Sequence, residues 1–204
     1  MLPEIARDEV FRLETRRLWL RWPRAADASV FRALASDWQV ARLTAALPHP
    51  YALADADQFI RDSREDNLHG CALRMALTLK SGARDVAGVI GVEAHDGRPT
   101  LGYWLGRPFW GQGLMSEAVA AMVHAFFLFT DGEEICACVS EENAASRGVL
   151  EKRGFVEVER LAAGPGRQAE NPCLRFALRR LDWQARGGKG EGAHLPLGLA
   201  SFRS

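Results

Sequence analysis

The sequence predicts an α+β protein in which a mixed β-sheet carries helices on both faces. Three observations lead to this fold class. Residues 73–79 alternate apolar and other side chains, which is typical of a strand. The strand-like segments around them are joined by short turns, as in an antiparallel meander. Beyond residue 113, apolar residues recur at steps of three and four, and helical segments then alternate with strands.

The elements before the meander are predicted from alternation and from helix caps. Residues 18–22 alternate as a strand does. Asp27 is suited to cap a helix that ends near residue 36, and Asp55 begins a sequence like a capping box for a helix that ends near Gly70. Residues 37–53 contain two prolines and are predicted to be irregular.

The meander and the second half of the chain follow in order. Ser81 with Gly82 and Asp96 with Gly97 are turn signals on either side of a strand predicted over residues 86–93. The predicted elements after residue 113 are a helix over 115–129, a strand over 135–139, a helix over 144–153, a strand beginning at 155, and a last strand near 174–181 that follows a Gly-Pro-Gly turn at 164–166.

Composition bounds the class of protein. The 204 residues suit one domain, and 26 basic residues balance 26 acidic ones, so no general attraction to nucleic acid or to an anionic membrane is expected. The N-terminus has no signal-peptide core, and the apolar run at 118–129 is too short to span a bilayer. We therefore expect a cytoplasmic protein without a nucleic-acid or membrane partner.

Two further features concern the cysteines and the C-terminus. Four cysteines, at positions 71, 136, 138 and 173, include a C-x-C pair without nearby histidines, so buried inert thiols are expected rather than a metal site or a disulfide framework. The predicted domain covers residues 1–183. The Gly-rich tail over 184–204 lacks periodicity and is expected to be mobile and dispensable for chemistry.

The most informative feature is a glycine pair between a strand over residues 101–106 and the long helix. Gly111 and Gly113, separated by Gln112, would let the backbone approach a ligand closely, while the helix start offers unpaired N–H groups and a partial positive charge. This combination indicates a cofactor that carries phosphate or pyrophosphate. A plain structural turn is the alternative interpretation of such a pair.

A second segment specifies the cofactor. Residues 143–155 begin with Asn143 and Ser146 and form another strand-to-helix unit that ends at Gly154. These two segments, in this order, resemble the GNAT acyltransferase superfamily, and the sequence over 103–118, with the opening at 13–21, resembles its ribosomal-protein-alanine N-acetyltransferase (RimJ/RimL-like) branch. The resemblance covers about residues 13–181. It implies a mostly antiparallel central sheet of about seven strands and acetyl-CoA as the co-substrate, without a metal.

A Rossmann dinucleotide site is the competing interpretation of the glycine pair. Its third glycine would fall on Ser116, and Glu133 and Glu134 precede the next strand instead of ending it. The loop also follows a meander rather than opening a βαβ unit. We therefore set this alternative aside.

The resemblance assigns cofactor contacts to particular residues. Backbone N–H groups would hold the CoA pyrophosphate, and they belong to Gly111, Gln112, Gly113, Leu114, Met115 and Ser116. The family signature usually has Arg or Gln three residues before the first glycine, where this chain has Pro108. Asn143 would bond the pantetheine arm of CoA, although it would serve equally well as a helix cap.

The resemblance also suggests catalytic groups. Ser146 would stand near the thioester sulfur and could protonate the thiolate, because the position at which many members have a tyrosine is Leu150 here. Glu93 is the candidate general base, directly or through water, and Val92 or a neighbour would donate a backbone N–H to the oxyanion. As alternatives, Ser146 and Glu93 could both be plain surface residues. His95 and His124 are less suitable, since one lies at a hairpin tip and the other on a helix face expected to meet solvent.

The acceptor is the least determined part. Trp38 and residues 43–51 would form its entrance, and either Tyr103 or Trp104 would line the cleft because adjacent strand residues face opposite ways. The sequence thus predicts an N-acetyltransferase that moves acetyl from acetyl-CoA directly to a primary amine, of a protein N-terminus or a small molecule, in a ternary complex. A non-catalytic acyl-CoA-binding module is the alternative, and both monomer and homodimer stay open.

Overall fold

The computed structural model describes residues 11–81, 85–162 and 172–188. Its strands are β1 Arg12–Glu14, β2 Leu18–Arg21, β3 Ala72–Leu79, β4 Val86–His95, β5 Arg98–Leu105, β6 Glu134–Ser140, β7 Val156–Leu161 and β8 Cys173–Arg179. Its α-helices are α1 Ala28–Ala35, α2 Trp38–Ala41, α3 Leu53–His69, α4 Leu114–Phe129, α5 Ala144–Lys152 and α6 Arg180–Ala185, with 3-10 turns at Ala25–Asp27 and Arg107–Phe109.

All strands belong to one sheet, in the order β1-β2-β3-β4-β5-β6-β8-β7. Neighbouring strands are antiparallel except β5 and β6, which are parallel. The α+β class and the mostly antiparallel sheet are therefore confirmed. The described residues form eight strands rather than about seven, because Arg12–Glu14 pairs with β2 at the sheet edge. Three residues are too few to show alternation in the sequence.

Helices cover both faces of the sheet, as predicted. On one face α4 packs over a core that includes Ile90, Leu101 and Leu150. On the other face α1 and α3 contribute to a second core around Phe31, with Ala76 and Val89 from the sheet. Side chains of successive strand residues thus enter different cores, which matters for the site because Tyr103 packs against the first core and Trp104 against the second.

Turn and capping residues in the sequence predict most helix and strand boundaries to within two residues. The turn at Asp96 and Gly97, with φ of 50° and 71°, joins β4 to β5 as a two-residue hairpin. Helix α3 begins at Leu53, two residues before the predicted start, because the Asp55 carboxylate accepts from the N–H of Ala52 at 2.7 Å and therefore lies inside the first turn. The predicted Gly-Pro-Gly turn at 164–166 lies outside the described residues.

The C-terminal boundary differs from the prediction. Strand β8 ends at Arg179, and α6 follows, placing Trp183 with its ring centroid 5.1 Å from that of Phe127. His124 does not simply face solvent, since its Nδ1 lies 2.9 Å from the carbonyl oxygen of Gly188 and its ring lies near Trp183. The chain therefore contacts the domain at least as far as residue 188, and the rest of the predicted tail lies outside the described residues.

The four cysteines differ in their burial. Cys136 and Cys173 are buried, as expected, whereas Cys71 is exposed and Cys138 is half-buried with its side chain in contact with Cys173. Within residues 11–81, 85–162 and 172–188, no group of three metal-ligating side chains occurs. None of the helices in that part of the chain is long and apolar enough to cross a membrane.

Candidate active site

The site is a gap in the sheet between β5 and β6. The described pairing of these parallel strands is confined to Thr100 with Cys136, after which the strands diverge. A cleft of about 710 Å³ occupies the divergence. Two strands line it, β5 from residue 100 to residue 105 and β6 from residue 137 to residue 139. The glycine loop, the start of α5 and residues 43–47 complete the wall. The volume lies within the range of small-ligand sites.

Backbone groups of β5 point into this gap. The N–H of Gly106 bonds the carbonyl of Ala87 in β4 at 2.8 Å. Because peptide groups alternate sides along a strand, those of Tyr103 and Leu105 face away from β4, and the Leu105 carbonyl indeed accepts from the indole N–H of Trp110 at 2.6 Å. The N–H of Tyr103 is thus placed where a thioester oxygen in the gap could accept it.

The expectation that Val92 supplies this N–H is wrong on geometry. Val92 lies on β4, where Leu73 of β3 and Leu101 of β5 are its neighbours on the two sides. Both edges of β4 are used by ladder hydrogen bonds, and the Val92 side chain packs against the core under α4. The backbone N–H groups that face the gap from this side belong to β5, the strand that borders it.

The glycine loop has the backbone conformation that the sequence indicated. Gly111 and Gly113 both have φ of 73°, a conformation that side-chain-bearing residues rarely adopt, and Gly113 is the residue before the first turn of α4. Gln112 lies between them and turns its side-chain amide toward the carbonyl of Pro108 at 3.0 Å. The loop therefore presents backbone rather than side chains at the positive end of a 16-residue helix.

In the first turn of α4 the side chains and the backbone N–H groups have different surroundings. The side chains of Leu114, Met115 and Ser116 are buried, so they serve the core. Any contribution of these residues to a bound phosphate is confined to their N–H groups, as the resemblance implied. Ser116 also accepts a hydrogen bond from Nε of Arg153 at 3.0 Å, which places a guanidinium beside the helix start.

A charged brace holds the loop, and sequence reasoning missed it. Arg17 donates from Nε to Glu117 of α4 at 2.8 Å and from Nη1 to the carbonyl of Gln112 at 2.8 Å. Thr15 donates to the same carboxylate at 2.6 Å. Burial disfavours ionised Glu117, but the hydrogen bonds from Thr15 and Arg17 outweigh it and lower the pKa of this carboxyl. These partners lie about 100 residues apart in the chain, so no local pattern connects them.

Asn143 caps helix α5. Its Oδ1 accepts from the N–H of Ser146 at 3.0 Å, which is the capping interpretation given above. A contact between Asn143 and a pantetheine arm would therefore fall to the side-chain NH₂ group. Both interpretations of Asn143 are compatible with this geometry.

Ser146 has a partner that the sequence did not reveal. Its Oγ lies 2.8 Å from the phenol oxygen of Tyr103, which reaches across the gap from β5 to α5. Burial raises the pKa of Tyr103 to about 12, and the hydrogen bond with Ser146 partly opposes this. Leu150, where many family members have a tyrosine, is fully buried in the core. A tyrosine hydroxyl is thus present at this end of the gap, from another element.

Glu93 lines the other face of the cleft. Alternation places its side chain with that of Val89, on the face covered by α1 and α3, opposite to Tyr103. Its Oε2 accepts from Nη2 of Arg74 and, at 3.2 Å, from Nε, and Arg74 also bonds Asp66 at 2.5 Å. The carboxylate is about half exposed, so one oxygen is engaged by Arg74 while the other edge faces the cleft and solvent.

The predicted acceptor entrance is present in part. Residues 43–47 and Tyr51 line the cleft on the side of α1 and α3. Trp38 is 52% exposed and contacts His49, 5.0 Å between ring centroids, outside the cleft lining. His95 lies at the cleft rim and is half exposed, near Asp96.

The comparisons with known proteins agree with this geometry. Residues 17–156 match the profile of the acetyltransferase (GNAT) domain. The chain belongs to this family. The N-acetyltransferase p20 of Bacillus licheniformis, itself uncharacterized, is 32% identical over 146 residues, which are 70% of this chain and 81% of that protein.

Solved structures resemble this acetyltransferase in fold. Mycobacterium smegmatis RimJ in complex with CoA-disulfide gives a TM-score of 0.71 at 20% identity, covering 87% of this chain and 95% of its own. RimL, a ribosomal α-N-protein acetyltransferase in complex with coenzyme A, gives 0.73 at 17% identity, covering 83% and 98%. These structures confirm the fold that the resemblance to the GNAT superfamily implied. The protein is an acetyl-CoA-dependent acetyltransferase.

Proposed function

We propose that this acetyltransferase transfers the acetyl group directly to a primary amine, in a ternary complex of enzyme, acetyl-CoA and acceptor. The observation that carries the proposal is one cleft that is lined by residues from both faces of the sheet. Tyr103 and Ser146 mark the face beside α4 and the glycine loop, and Glu93 marks the face beside α1 and α3. An amine that enters from the second face meets the thioester carbonyl in the gap, with the sulfur leaving on the first.

The chain's residues have separate tasks in this scheme. The N–H groups from Gly111 to Ser116 hold the pyrophosphate, and the N–H of Tyr103 stabilises the oxyanion. Glu93 accepts the proton of the amine, directly or through water, using the oxygen that Arg74 does not engage. Because an α-amino group has a pKa near ~8, against ~10.4 for lysine, a peptide N-terminus needs little help from a base.

The charge of the acceptor side favours a singly charged or neutral amine. The charged residues of the wall there, Arg74 and Glu93, are paired with each other. Leu43, Leu47 and Phe59 make much of the remaining surface apolar. A polyamine or an aminoglycoside would need several uncompensated carboxylates, which this wall does not provide among the described residues. A peptide N-terminus or a small apolar amine fits better.

The test is a panel of amines with acetyl-CoA, read by thiol release and by the mass of the product. We expect release of CoA that depends on a peptide N-terminus or small apolar amine, with an acetyl amide as the product. Folded protein that binds CoA but releases no thiol above the hydrolysis rate with any amine would favour the alternative, a non-catalytic acyl-CoA-binding module. Gly113→Val is the matched control, because it should bind CoA poorly. Any CoA thiol that this variant still releases arises outside the site.

A second mechanism follows from one observation, the thiol of Cys138 in the cleft wall. That thiol could take the acetyl group first and pass it to the amine afterwards. Initial rates over a grid of both substrates decide between the mechanisms. Direct transfer gives intersecting double-reciprocal lines and survives Cys138→Ser, whereas an acetyl-enzyme gives parallel lines and loses turnover with that substitution.

A further inference from the structure

We infer that Tyr103 is the acid that protonates the departing CoA thiolate, with Ser146 as the residue that positions its phenol. This inference rests on the proposed direct transfer to an amine. It changes the role expected for Ser146, from proton donor to hydrogen-bond partner of the donor.

The position of Tyr103 is set by the divergence of the strands. Its ring lies on the face of β5 that packs against the core under α4, and its hydroxyl reaches α5 on the far side of the gap. The residue thereby lies along the opening between β5 and β6, between the glycine loop that follows β5 and the capped start of α5. A cofactor held at the loop, with its thioester in the gap, must pass this hydroxyl.

Either hydroxyl of the pair can donate at 2.8 Å, and one of the two arrangements leaves the phenol proton available. With Ser146 Oγ as donor to the phenol oxygen at 2.8 Å, the phenol proton of Tyr103 has the Ser146 carbonyl as a partner, at a distance of 3.4 Å. A contact of that length holds a proton weakly. The phenol proton can therefore turn to a sulfur that gains negative charge, while the serine hydroxyl stays bonded to the phenol oxygen.

Acidity favours the same assignment. A phenol has a pKa near ~10 and is a far stronger acid than an aliphatic hydroxyl, so of the two partners Tyr103 is the better donor. Burial keeps it protonated throughout the pH range of an assay. The bond from Ser146 stabilises the phenolate as it forms, which moves the donor in the useful direction.

The C–S bond of the tetrahedral intermediate breaks and its electron pair stays on sulfur, the Tyr103 O–H bond breaks, and an S–H bond forms. Glu93 has taken the proton of the attacking amine and returns it to solvent, from which the Tyr103 phenolate regains its own proton. The sum is amine plus acetyl-CoA giving acetyl amide plus CoA thiol.

The first experiment compares Tyr103→Phe with Ser146→Ala in the full chain. Tyr103→Phe should lower kcat by about a hundredfold and leave the Kd of acetyl-CoA within about threefold, because the ring and its packing remain. Ser146→Ala should lower kcat less. A larger loss in Ser146→Ala than in Tyr103→Phe, or near wild-type kcat in Tyr103→Phe with turnover intact, would overturn the inference and leave the proposed function standing.

The second readout is the pH profile, which a purely structural tyrosine would not affect. The chain has two tyrosines, so a fluorinated, more acidic tyrosine is placed at position 103 alone by stop-codon suppression, and Tyr51, which lines the cleft, is left unchanged. Because burial keeps the unmodified phenol protonated over the assay range, the wild type and Tyr103→Phe should show no alkaline limb of kcat from this group, whereas fluorination should bring such a limb into that range. A kcat that stays level at alkaline pH after fluorination would contradict proton donation by Tyr103.

The third readout needs no acceptor and separates the two proposals. At pH 9 a bound CoA thiolate would accept the Tyr103 hydrogen bond, so the wild type should bind CoA about tenfold more tightly than desulfo-CoA, and Tyr103→Phe should bind both equally. If no amine is acetylated, the proposed function fails while this comparison still decides the contact. Equal affinities for both ligands in the wild type would remove Tyr103 from the sulfur.

Discussion

Replacement of Gly113 by valine isolates the role of the loop backbone. At φ of 73° a residue with a Cβ carries about 1–2 kcal/mol of strain, and a β-branched residue carries more. The added Cβ would meet nothing in the protein closer than Nη2 of Arg17 at 3.6 Å, so the fold itself has room for it. The two methyl groups would stand on the open side, where a pyrophosphate approaches the helix start.

The loss of CoA affinity follows from the contact that is blocked. One hydrogen bond from a backbone N–H to a charged phosphate contributes about 1.5–3 kcal/mol, so the Kd of CoA should rise roughly 10- to 150-fold. Calorimetric titration measures it. Gly70→Val is the matched control, because Gly70 has φ of 72°, open space around its Cβ and an exposed place at the end of α3. It should lose similar stability and bind CoA like the wild type.

The refuting result is a folded Gly113→Val protein whose Kd for CoA equals that of Gly70→Val. Equal losses of stability with equal affinity would show that the loop is a structural turn. A fall in melting temperature alone, in either variant, reports the backbone strain and says nothing about the ligand.

Three other variants test the remaining parts of the account. Glu93→Gln should lower kcat/KM roughly ten- to a thousandfold and remove the acidic limb of its pH profile, and near wild-type kinetics would exclude Glu93 as the base. Glu117→Gln should destabilise the fold by about 1–2 kcal/mol near pH 7, an amount kept small because Arg17 is about one-third exposed. The folded-state pKa of Glu117 is lowered, so the difference in unfolding free energy between the variant and the wild type should persist above about pH 4.5 and vanish as the pH falls further. Urea unfolding measures this difference. A difference that does not depend on pH would contradict a stabilising contact of ionised Glu117 with Thr15 and Arg17. Removal of residues 189–204 should leave kcat and Tm unchanged. Removal from residue 184 onward should lower Tm by several degrees, because the contact of Gly188 with His124 is lost. Equal Tm values for both truncations would show that α4 does not need this segment.

The fold and the loop could be predicted because their signals are local. Alternation and turn residues determine the hairpin at Asp96 and Gly97, and glycines before an apolar-periodic helix determine the loop at 111–113. The strand that borders the gap could not be predicted, because alternation identifies a strand but not its place in the sheet. Val92 lies on β4, whereas the divergence occurs one strand further, beside Tyr103.

The same limit explains the missed partners. Tyr103 and Ser146 are 43 residues apart, and their contact exists because β5 and β6 separate beyond Thr100. Arg17 and Glu117 are 100 residues apart, and neither is unusual in its own segment. Long-range pairs of this kind depend on sheet order, which no single stretch of sequence specifies.

A crystal structure of the protein with acetyl-CoA tests the central claim most directly. The account predicts pyrophosphate oxygens within hydrogen-bond distance of the N–H groups from Gly111 to Ser116, and the thioester sulfur in the gap beside the hydroxyls of Tyr103 and Ser146. The thioester oxygen should accept from the N–H of Tyr103. A cofactor whose pyrophosphate lies away from the loop, or whose sulfur lies outside the gap between β5 and β6, would contradict the account.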